Sequence, residues 1–151
     1  MKAIKLFANG TVQTIDIPPL AMSDWYDKQI GCDIIEYVHP RNYPDWTLLI
    51  DGNGLLKDNP TLNVLASVMY GTHEHGSPIV GNVLLVKTII TGIGYDVSGL
   101  NDNDIKKAYE MLDKVFLIAK GWELKVRREE NAKKAHNKGH GKSIGTDRSI
   151  S

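Results

Sequence analysis

The loop at residues 39–46 (HPRNYPDW) combines the side chains that a phosphate-bearing aromatic ligand requires. Arg41 carries a planar guanidinium whose N–H donors match the geometry of a phosphate. Tyr43 and Trp46 offer aromatic faces against which a base or a cation can stack. We therefore predict that this loop lines a small-molecule pocket completed by a second subunit. The alternative is an ordinary loop whose aromatic side chains cover the edge of the core.

Two histidines flank a glutamate in the segment His73-Glu74-His75, which places both imidazoles on one side of an extended chain. A catalytic zinc needs a third protein ligand and an open coordination position. Asp96 or Glu36 would be that ligand, but no spacing in the sequence selects either one. We interpret the segment as an exposed polar loop, and a hydrolase that uses His73 and His75 is the alternative.

No other segment has the spacing of a catalytic or cofactor site. Residues 139–143 (GHGKS) imitate the end of a phosphate-binding P-loop, but His136 occupies the position of the first required glycine. The single Cys32 excludes an internal disulfide framework and, at the start of an apolar strand, is expected to be an inert thiol. The sequence therefore predicts a protein that is not an enzyme and holds no metal or cofactor.

The charges are divided unequally along the chain. Residues 120–151 contain nine Lys and Arg against four Asp and Glu, a net charge of +5, and this leaves −5 on residues 1–119. Lys125 and Arg128 lie in the basic segment. They are expected to contact a phosphate ligand, another subunit or nucleic acid, or else to belong to the solvated end of a helix.

Hydrophobic periodicity predicts the elements that position these residues. Alternation at residues 3–8 and 11–17 indicates two strands joined by a two-residue type I′ turn at Asn9-Gly10. Further strands are predicted at 32–39 and 46–51, and the apolar run 79–90 indicates a central strand buried on both faces.

Three helices are predicted from caps and apolar spacing. They are residues 23–30, a helix from Pro60 capped by Asp58 or Asn59, and a helix from Asn101 or Asp102 that Gly121 interrupts. We therefore expect an α+β fold: a mostly antiparallel sheet with two or three packed helices and a protruding basic C-terminal helix. Residues 1–119 are the predicted core domain, and residues 120–151 the basic helix and a disordered tail.

The chain of 151 residues is long enough to bury a core without covalent or metal staples. No apolar run approaches the roughly 20 residues that span a bilayer. The first residues also lack the apolar core and cleavage site of a signal peptide. We expect a soluble cytoplasmic protein with no membrane partner.

Four segments follow one another along the chain: residues 1–18 (MKAIKLFANGTVQTIDIP), 63–67 (NVLAS), 76–86 (GSPIVGNVLLV) and 95–100 (YDVSGL). In this order they resemble a domain-of-unknown-function family of small proteins from phages and mobile plasmids. The resemblance covers about residues 1–115, and residues 78–86 are its most specific part. It implies an accessory protein without a catalytic triad or a metal set, present in the cytoplasm of an infected host cell.

By analogy with phage proteins that oligomerise and sequester nucleotide second messengers, the resemblance also implies a function. We expect a homo-oligomeric anti-defence protein that binds a nucleotide-derived immune signal and holds it intact. The expected ligand-binding residues are Arg41, Tyr43, Trp46, Tyr70, Asn82, Lys125 and Arg128. The alternative is an inhibitor of a host protein or nucleic-acid complex that acts through the basic C-terminal helix.

Overall fold

The computed structural model describes residues 1–72 and 76–139, and it confirms the predicted α+β fold. In this part of the chain there are one antiparallel sheet of six strands and three α-helices. The strands are β1 (Lys2–Leu6), β2 (Val12–Asp16), β3 (Ile35–Val38), β4 (Trp46–Asp51), β5 (Val83–Thr91) and β6 (Gly94–Ser98). The helices are α1 (Ser23–Ile30), α2 (Val64–Tyr70) and α3 (Asp102–Gly139).

The sheet is organised around β5. The strand order is β2-β1-β5-β4-β3, and β6 pairs with the second half of β5. Leu85 lies opposite Ile4 on one side and Leu48 on the other. The predicted central strand is confirmed in its position, but burial on both faces is confirmed only for residues 83–86, since Ile89 and Ile90 are exposed. The strand begins later than expected because Ile79 and Val80 form backbone contacts with the segment before α2.

Side chains alternate between the two faces of the sheet, and each face has its own apolar cluster. On one face Leu48 and Leu85 are buried in a cluster that includes residues of α2 and α3. On the other face Leu49 and Leu84 are buried together with Ile30 of α1. The molecule therefore has three layers: α2 with α3, the sheet, and α1.

The connection between β1 and β2 is longer than the predicted two-residue turn. The Phe7 N–H donates to the Thr11 carbonyl at 2.8 Å, and the Gly10 N–H donates to the Phe7 carbonyl at 3.0 Å. Gly10 takes a positive φ of 92°, whereas Asn9 does not. Instead, Asn9 Oδ1 accepts a hydrogen bond of 2.9 Å from the Thr11 N–H. The hairpin is confirmed, and the type I′ turn is wrong.

The second helix starts later than Pro60. It begins at Val64, and Asn63 is its N-cap, because Asn63 Oδ1 accepts a hydrogen bond of 3.1 Å from the Ala66 N–H. Leu62 forms an isolated antiparallel bridge with Val80 and so lies in the extended segment before α2. The predicted caps at positions 58 and 59 are therefore wrong.

The third helix begins with a reciprocal pair of hydrogen bonds. Asn101 Oδ1 accepts from the Asp104 N–H at 2.8 Å, and Asp104 Oδ2 accepts from the Asn101 N–H at 3.0 Å. This capping box satisfies two N–H groups at the helix start. Asp104 Oδ1 also accepts a hydrogen bond of 3.2 Å from Lys87 Nζ, which ties the start of α3 to β5.

α3 continues without a break through Gly121, so the predicted interruption is wrong. A glycine in a helix interior costs about 1 kcal/mol relative to alanine. Val115 and Ala119 before the glycine are buried, and Trp122 after it packs against the same cluster. This packing on both sides outweighs the cost. The boundary predicted between residues 119 and 120 falls within the helix, and the predicted tail from residue 140 onward lies outside the described residues.

The Asp104 carboxylate predicts a pH-dependent stability. The hydrogen bond from the Asn101 N–H and the ammonium of Lys87 hold the pKa of Asp104 below its usual value of 3.8. A carboxyl with a lowered pKa stabilises the folded state above the unfolded-state value, and the contribution disappears as the pH falls through the folded-state pKa. We expect Asp104→Asn to lower the free energy of unfolding by about 1 kcal/mol at pH 7.

Urea denaturation at several pH values measures this effect, and the difference between wild type and Asp104→Asn should shrink below about pH 4. Asp102→Asn removes the same charge from the same helix turn but leaves these hydrogen bonds in place, so it serves as the control. A difference for Asp104→Asn that stays constant with pH would contradict the assignment.

Candidate functional site

The aromatic side chains of the loop predicted to bind a ligand pack against the core. Trp46 is only 7% exposed and belongs to the apolar cluster beneath α2 and α3. Tyr43 is half-buried against the same cluster, and Arg41 is exposed in the preceding turn. The two aromatic rings therefore cover the edge of the core.

Asn82 lies at the opposite end of the sheet from this loop. It directly precedes β5, whereas the loop meets β5 at Thr88, whose N–H donates to the Asp45 carbonyl at 2.9 Å. Six residues of extended strand span about 20 Å. Arg41 and Asn82 therefore do not meet within one copy of the chain.

The remaining predicted residues are distributed over other parts of the surface. Tyr70, the last residue of α2, lines a cavity beside β3. Lys125 and Arg128 are exposed on α3, beyond Trp122, which still packs against the core. His73 and His75 lie outside the described residues, so the hydrolase interpretation is not tested.

A histidine and two threonines form a hydrogen-bonded cluster on the α1 side of the sheet. His39 Nδ1 lies 3.1 Å from Thr47 Oγ1, which lies 2.7 Å from Thr88 Oγ1. The His39 ring packs against Tyr95 with centroids 5.1 Å apart. A nucleophile must reach its substrate, and Thr47 is fully buried at 0% exposure. We interpret the cluster as the anchor of the β3–β4 loop.

Cys32 is half-buried and free. Burial raises the pKa of its thiol, and the nearby carboxylates of Asp51 and Asp27 raise this pKa further. Because the thiolate is the reactive form, these surroundings make Cys32 a poor nucleophile at neutral pH.

Two adjoining cavities lie along the β1–β2 turn and the segment before α2; the first also borders the middle of α3, and the second borders the end of α1. We call them together the loop-end cleft. The first has a volume of about 330 Å³, and its apolar wall comprises Val64, Leu65, Phe116 and Ala119. Lys120 Nζ lies over the Phe116 ring, 5.5 Å from the ring centroid. This half of the cleft offers an exposed aromatic ring beside a cation.

The second cavity is polar and has a volume of about 280 Å³. Ala8 and Thr61 line both cavities, so the two adjoin. Lys57, Asn59 and Asn82 contribute side chains to this half. The cleft therefore joins an apolar compartment to one that is rich in hydrogen-bonding groups.

Lys57 is held in place by two short contacts. Its Nζ lies 2.6 Å from Asp51 Oδ2 and donates to the Gly31 carbonyl at 2.6 Å. The hydrogen bond to Asp51 raises the pKa of Lys57, so the ammonium stays charged. Asp51 is buried and also accepts a hydrogen bond from the Asn53 N–H at 2.9 Å. Among the described residues Lys57 has no third partner, so one of its three N–H groups is available at the cleft.

Asn82 presents donors to the polar cavity. Its Oδ1 accepts a hydrogen bond of 3.1 Å from the Ala8 N–H, which fixes the orientation of the amide. Within the described residues its Nδ2 has no hydrogen-bond partner, so both N–H groups are available to a ligand.

The walls of the cleft are joined by Asn63, which is only 1% exposed. Its Nδ2 donates to the Leu6 carbonyl at 3.0 Å and to the Gly81 carbonyl at 2.8 Å, while its Oδ1 caps α2. These bonds connect the end of β1, the approach to β5 and the start of α2. A single buried amide therefore fixes the three segments around the cleft.

Among the residues that line the cleft, the sequence predicts Asn82 as a ligand-binding residue but not Lys57, Phe116 or Lys120. Lys57 is a single lysine in a turn, and Phe116 follows Val115 on a helix whose apolar stripe accounts for its neighbours. Neither has a spacing that indicates a site. For Asn63, its position before the apolar run of α2 was the available signal, because asparagine is a favoured N-cap.

No cluster of three or more His, Cys, Asp or Glu that could hold a metal ion is present in the described part of the chain. Among the same residues, no helix has the length and apolar character needed to cross a membrane. No protein-family model, curated protein or solved structure matches the chain. The resemblance to phage and plasmid proteins therefore stays a prediction.

The role of Asn63 predicts a large effect on stability. Asn63→Ala removes the amide donor of the Leu6 and Gly81 carbonyls and the cap of α2, and each such loss costs about 1–3 kcal/mol. Asn63→Asp keeps the cap but turns a carboxylate oxygen toward the two carbonyls. We expect each variant to lower the free energy of unfolding by about 3 kcal/mol or more, measured by urea denaturation.

Asn103→Ala, at an exposed position in α3, is the matched control and should change this free energy by less than about 0.5 kcal/mol. An Asn63→Asp variant as stable as wild type would show that the two carbonyls do not depend on the Asn63 amide.

Proposed function

We propose that this chain is a non-enzymatic binding protein that holds a cyclic nucleotide in the loop-end cleft and sequesters it intact. The observation that carries the proposal is the adjacency of two cavities, of about 330 and 280 Å³, one apolar with an aromatic ring and the other polar. Ligand pockets of small molecules have about this size and this mixture of apolar wall and few polar groups.

Each part of such a ligand has a matching surface. The base packs against the apolar wall around Phe116, whose ring lies under the Lys120 ammonium. The phosphate lies in the polar cavity, where Lys57 and the Asn82 amide donate hydrogen bonds. Hydrogen bonds between charged partners are the stronger kind. The shared residues Ala8 and Thr61 are where the sugar would lie.

The charge of the lining favours a ligand with few negative charges. Lys57 and Lys120 are opposed by Asp51, Asp58 and Glu123. A phosphodiester carries one negative charge per phosphate, whereas a nucleoside triphosphate brings three or four at neutral pH. The lining therefore supports a cyclic mononucleotide or dinucleotide over ATP, because like charges disfavour the more anionic ligand.

We propose sequestration without turnover because the buried carboxylate at the cleft already has partners and is not placed to act as a general base. Asp51, the buried carboxylate at the cleft, is committed to Lys57 and to the Asn53 N–H. The sequence resemblance supplies the biological setting: a phage accessory protein that removes a nucleotide signal of its host. That setting is part of the proposal.

The test mixes the purified protein with 3′,5′-cyclic mononucleotides, cyclic dinucleotides and ATP, filters the mixture and measures each compound in the filtrate by chromatography. We expect one cyclic nucleotide to be depleted and then recovered with its mass unchanged after heating, and ATP to remain. Depletion of none of the compounds would contradict the proposal, and a changed mass would show turnover.

Variants then locate the site. Asn82→Asp keeps an acceptor for the Ala8 N–H but replaces two donors with a negative oxygen, and Phe116→Ala removes the ring. We expect each to weaken binding by about tenfold or more, since a hydrogen bond to a charged group is worth about 1.5–3 kcal/mol. Arg41→Ala, about 20 Å away, is the matched control and should bind like wild type. Weaker binding by Arg41→Ala, with wild-type binding by Asn82→Asp and Phe116→Ala, would place the ligand at the 39–46 loop.

A further inference from the structure

α3 exposes a line of residues that neither the core nor the cleft uses. We call it the outer stripe: Glu110, Asp113, Leu117, Gly121, Leu124 and Arg128. All six are exposed, and the two leucines are 72% and 51% accessible. Leucines at these exposures along one helix face are a cost in water unless another surface covers them.

The outer stripe points directly away from the rest of the molecule. At 100° per residue, Leu117 lies about 180° around the helix from Ala108, and Leu124 about 160°. Ala108, Val115 and Ala119 are buried against the sheet. A second molecule can therefore approach the stripe without meeting the sheet.

We propose that the outer stripe is the contact surface between two copies of this chain, whose α3 helices pack antiparallel about a two-fold axis between residues 120 and 121. In this register Leu117 of each copy lies opposite Leu124 of the other. Asp113 lies opposite Arg128 in the same way. A closed two-fold contact of this kind uses the same surface twice, and the stripe is self-complementary as such a contact requires.

The charges select a second copy in antiparallel orientation. The acidic residues of the stripe, Glu110 and Asp113, precede the leucines, and Arg128 follows them. Antiparallel packing places each acidic end against a basic end, whereas parallel packing places like charges together. The same division extends over the whole chain, with −5 on residues 1–119 and +5 on residues 120–151.

Gly121 lies at the centre of this register. A Cβ added there would meet no atom within 4 Å, so the glycine is not required by packing within one molecule. Its absence of a side chain lets a second helix approach closely at the axis. The contact would thus account for a glycine that costs the isolated helix about 1 kcal/mol.

Exchanging the charges of Asp113 and Arg128 tests the pairing, and sedimentation equilibrium measures the dimer dissociation constant of each variant. Wild type is expected to be a dimer, and Asp113→Arg or Arg128→Asp alone should each raise the dimer dissociation constant about tenfold or more, because two symmetric pairs become repulsive. The double variant restores both pairs with reversed sign and should dimerise like wild type. Both positions are exposed, so circular dichroism should show an unchanged fold.

A wild-type protein that stays monomeric at about 100 µM would overturn the proposal and leave the stripe to a different partner. A dimer that neither single variant weakens, or that the double variant does not restore, would overturn it too. None of these outcomes depends on a bound nucleotide, so they are distinct from failure of the proposed function.

Cysteine cross-linking tests the orientation, with Cys32 replaced by serine in every variant. Gly121→Cys places two thiols near the proposed axis and should form a disulfide-linked dimer on mild oxidation. Lys106→Cys lies on the same side of the helix, but in the antiparallel pair its two copies are about 43 Å apart. It should not cross-link. Cross-linking of both variants would indicate parallel helices and overturn the proposal.

Discussion

The buried amide of Asn63 is the interaction on which the arrangement of the cleft depends. Its two N–H groups bond carbonyls at the end of β1 and before β5, and its oxygen caps α2. Buried carbonyls need donors, and here one side chain supplies two of them together with a helix cap. The strands and α2 consequently meet at fixed distances, and the polar and apolar cavities lie side by side between them.

α3 links this cleft to the rest of the molecule because one face of the helix packs against the sheet, another borders the cleft and a third is exposed to solvent. Val115 and Ala119 are buried against the sheet, and Phe116 and Lys120 border the cleft. Leu117 points to solvent. A side chain rotates by about 100° per residue, so three neighbouring residues can serve a core, a ligand site and a subunit contact. In our account, α3 therefore carries the ligand site and the subunit contact on different faces, with Lys120 at the border between them.

Patterns of residue type predicted the elements, but not how distant segments meet. Strand alternation and the apolar run near 83–86 were sufficient for the α+β class, and α1 covers residues 23–30 as predicted, with Gly31 after it at a φ of 75°. The start of α2 was missed because Pro60 is a favoured first residue of a helix, whereas tertiary hydrogen bonds place the cap at Asn63. Trp46 was assigned to a pocket because sequence alone does not tell which sheet face a strand residue joins. Lys57 and Phe116 come together with Asn82 only through the fold.

Hydrogen–deuterium exchange of the purified protein with and without the cyclic nucleotide it retains tests the central claim most directly, because backbone exchange locates a ligand without any substitution. Our account predicts slower exchange on ligand binding at residues 8–10, 57–64 and 81–82, which surround the loop-end cleft. Exchange at residues 39–46 should remain unchanged. Slower exchange confined to residues 39–46, with the cleft segments unaffected, would contradict the account.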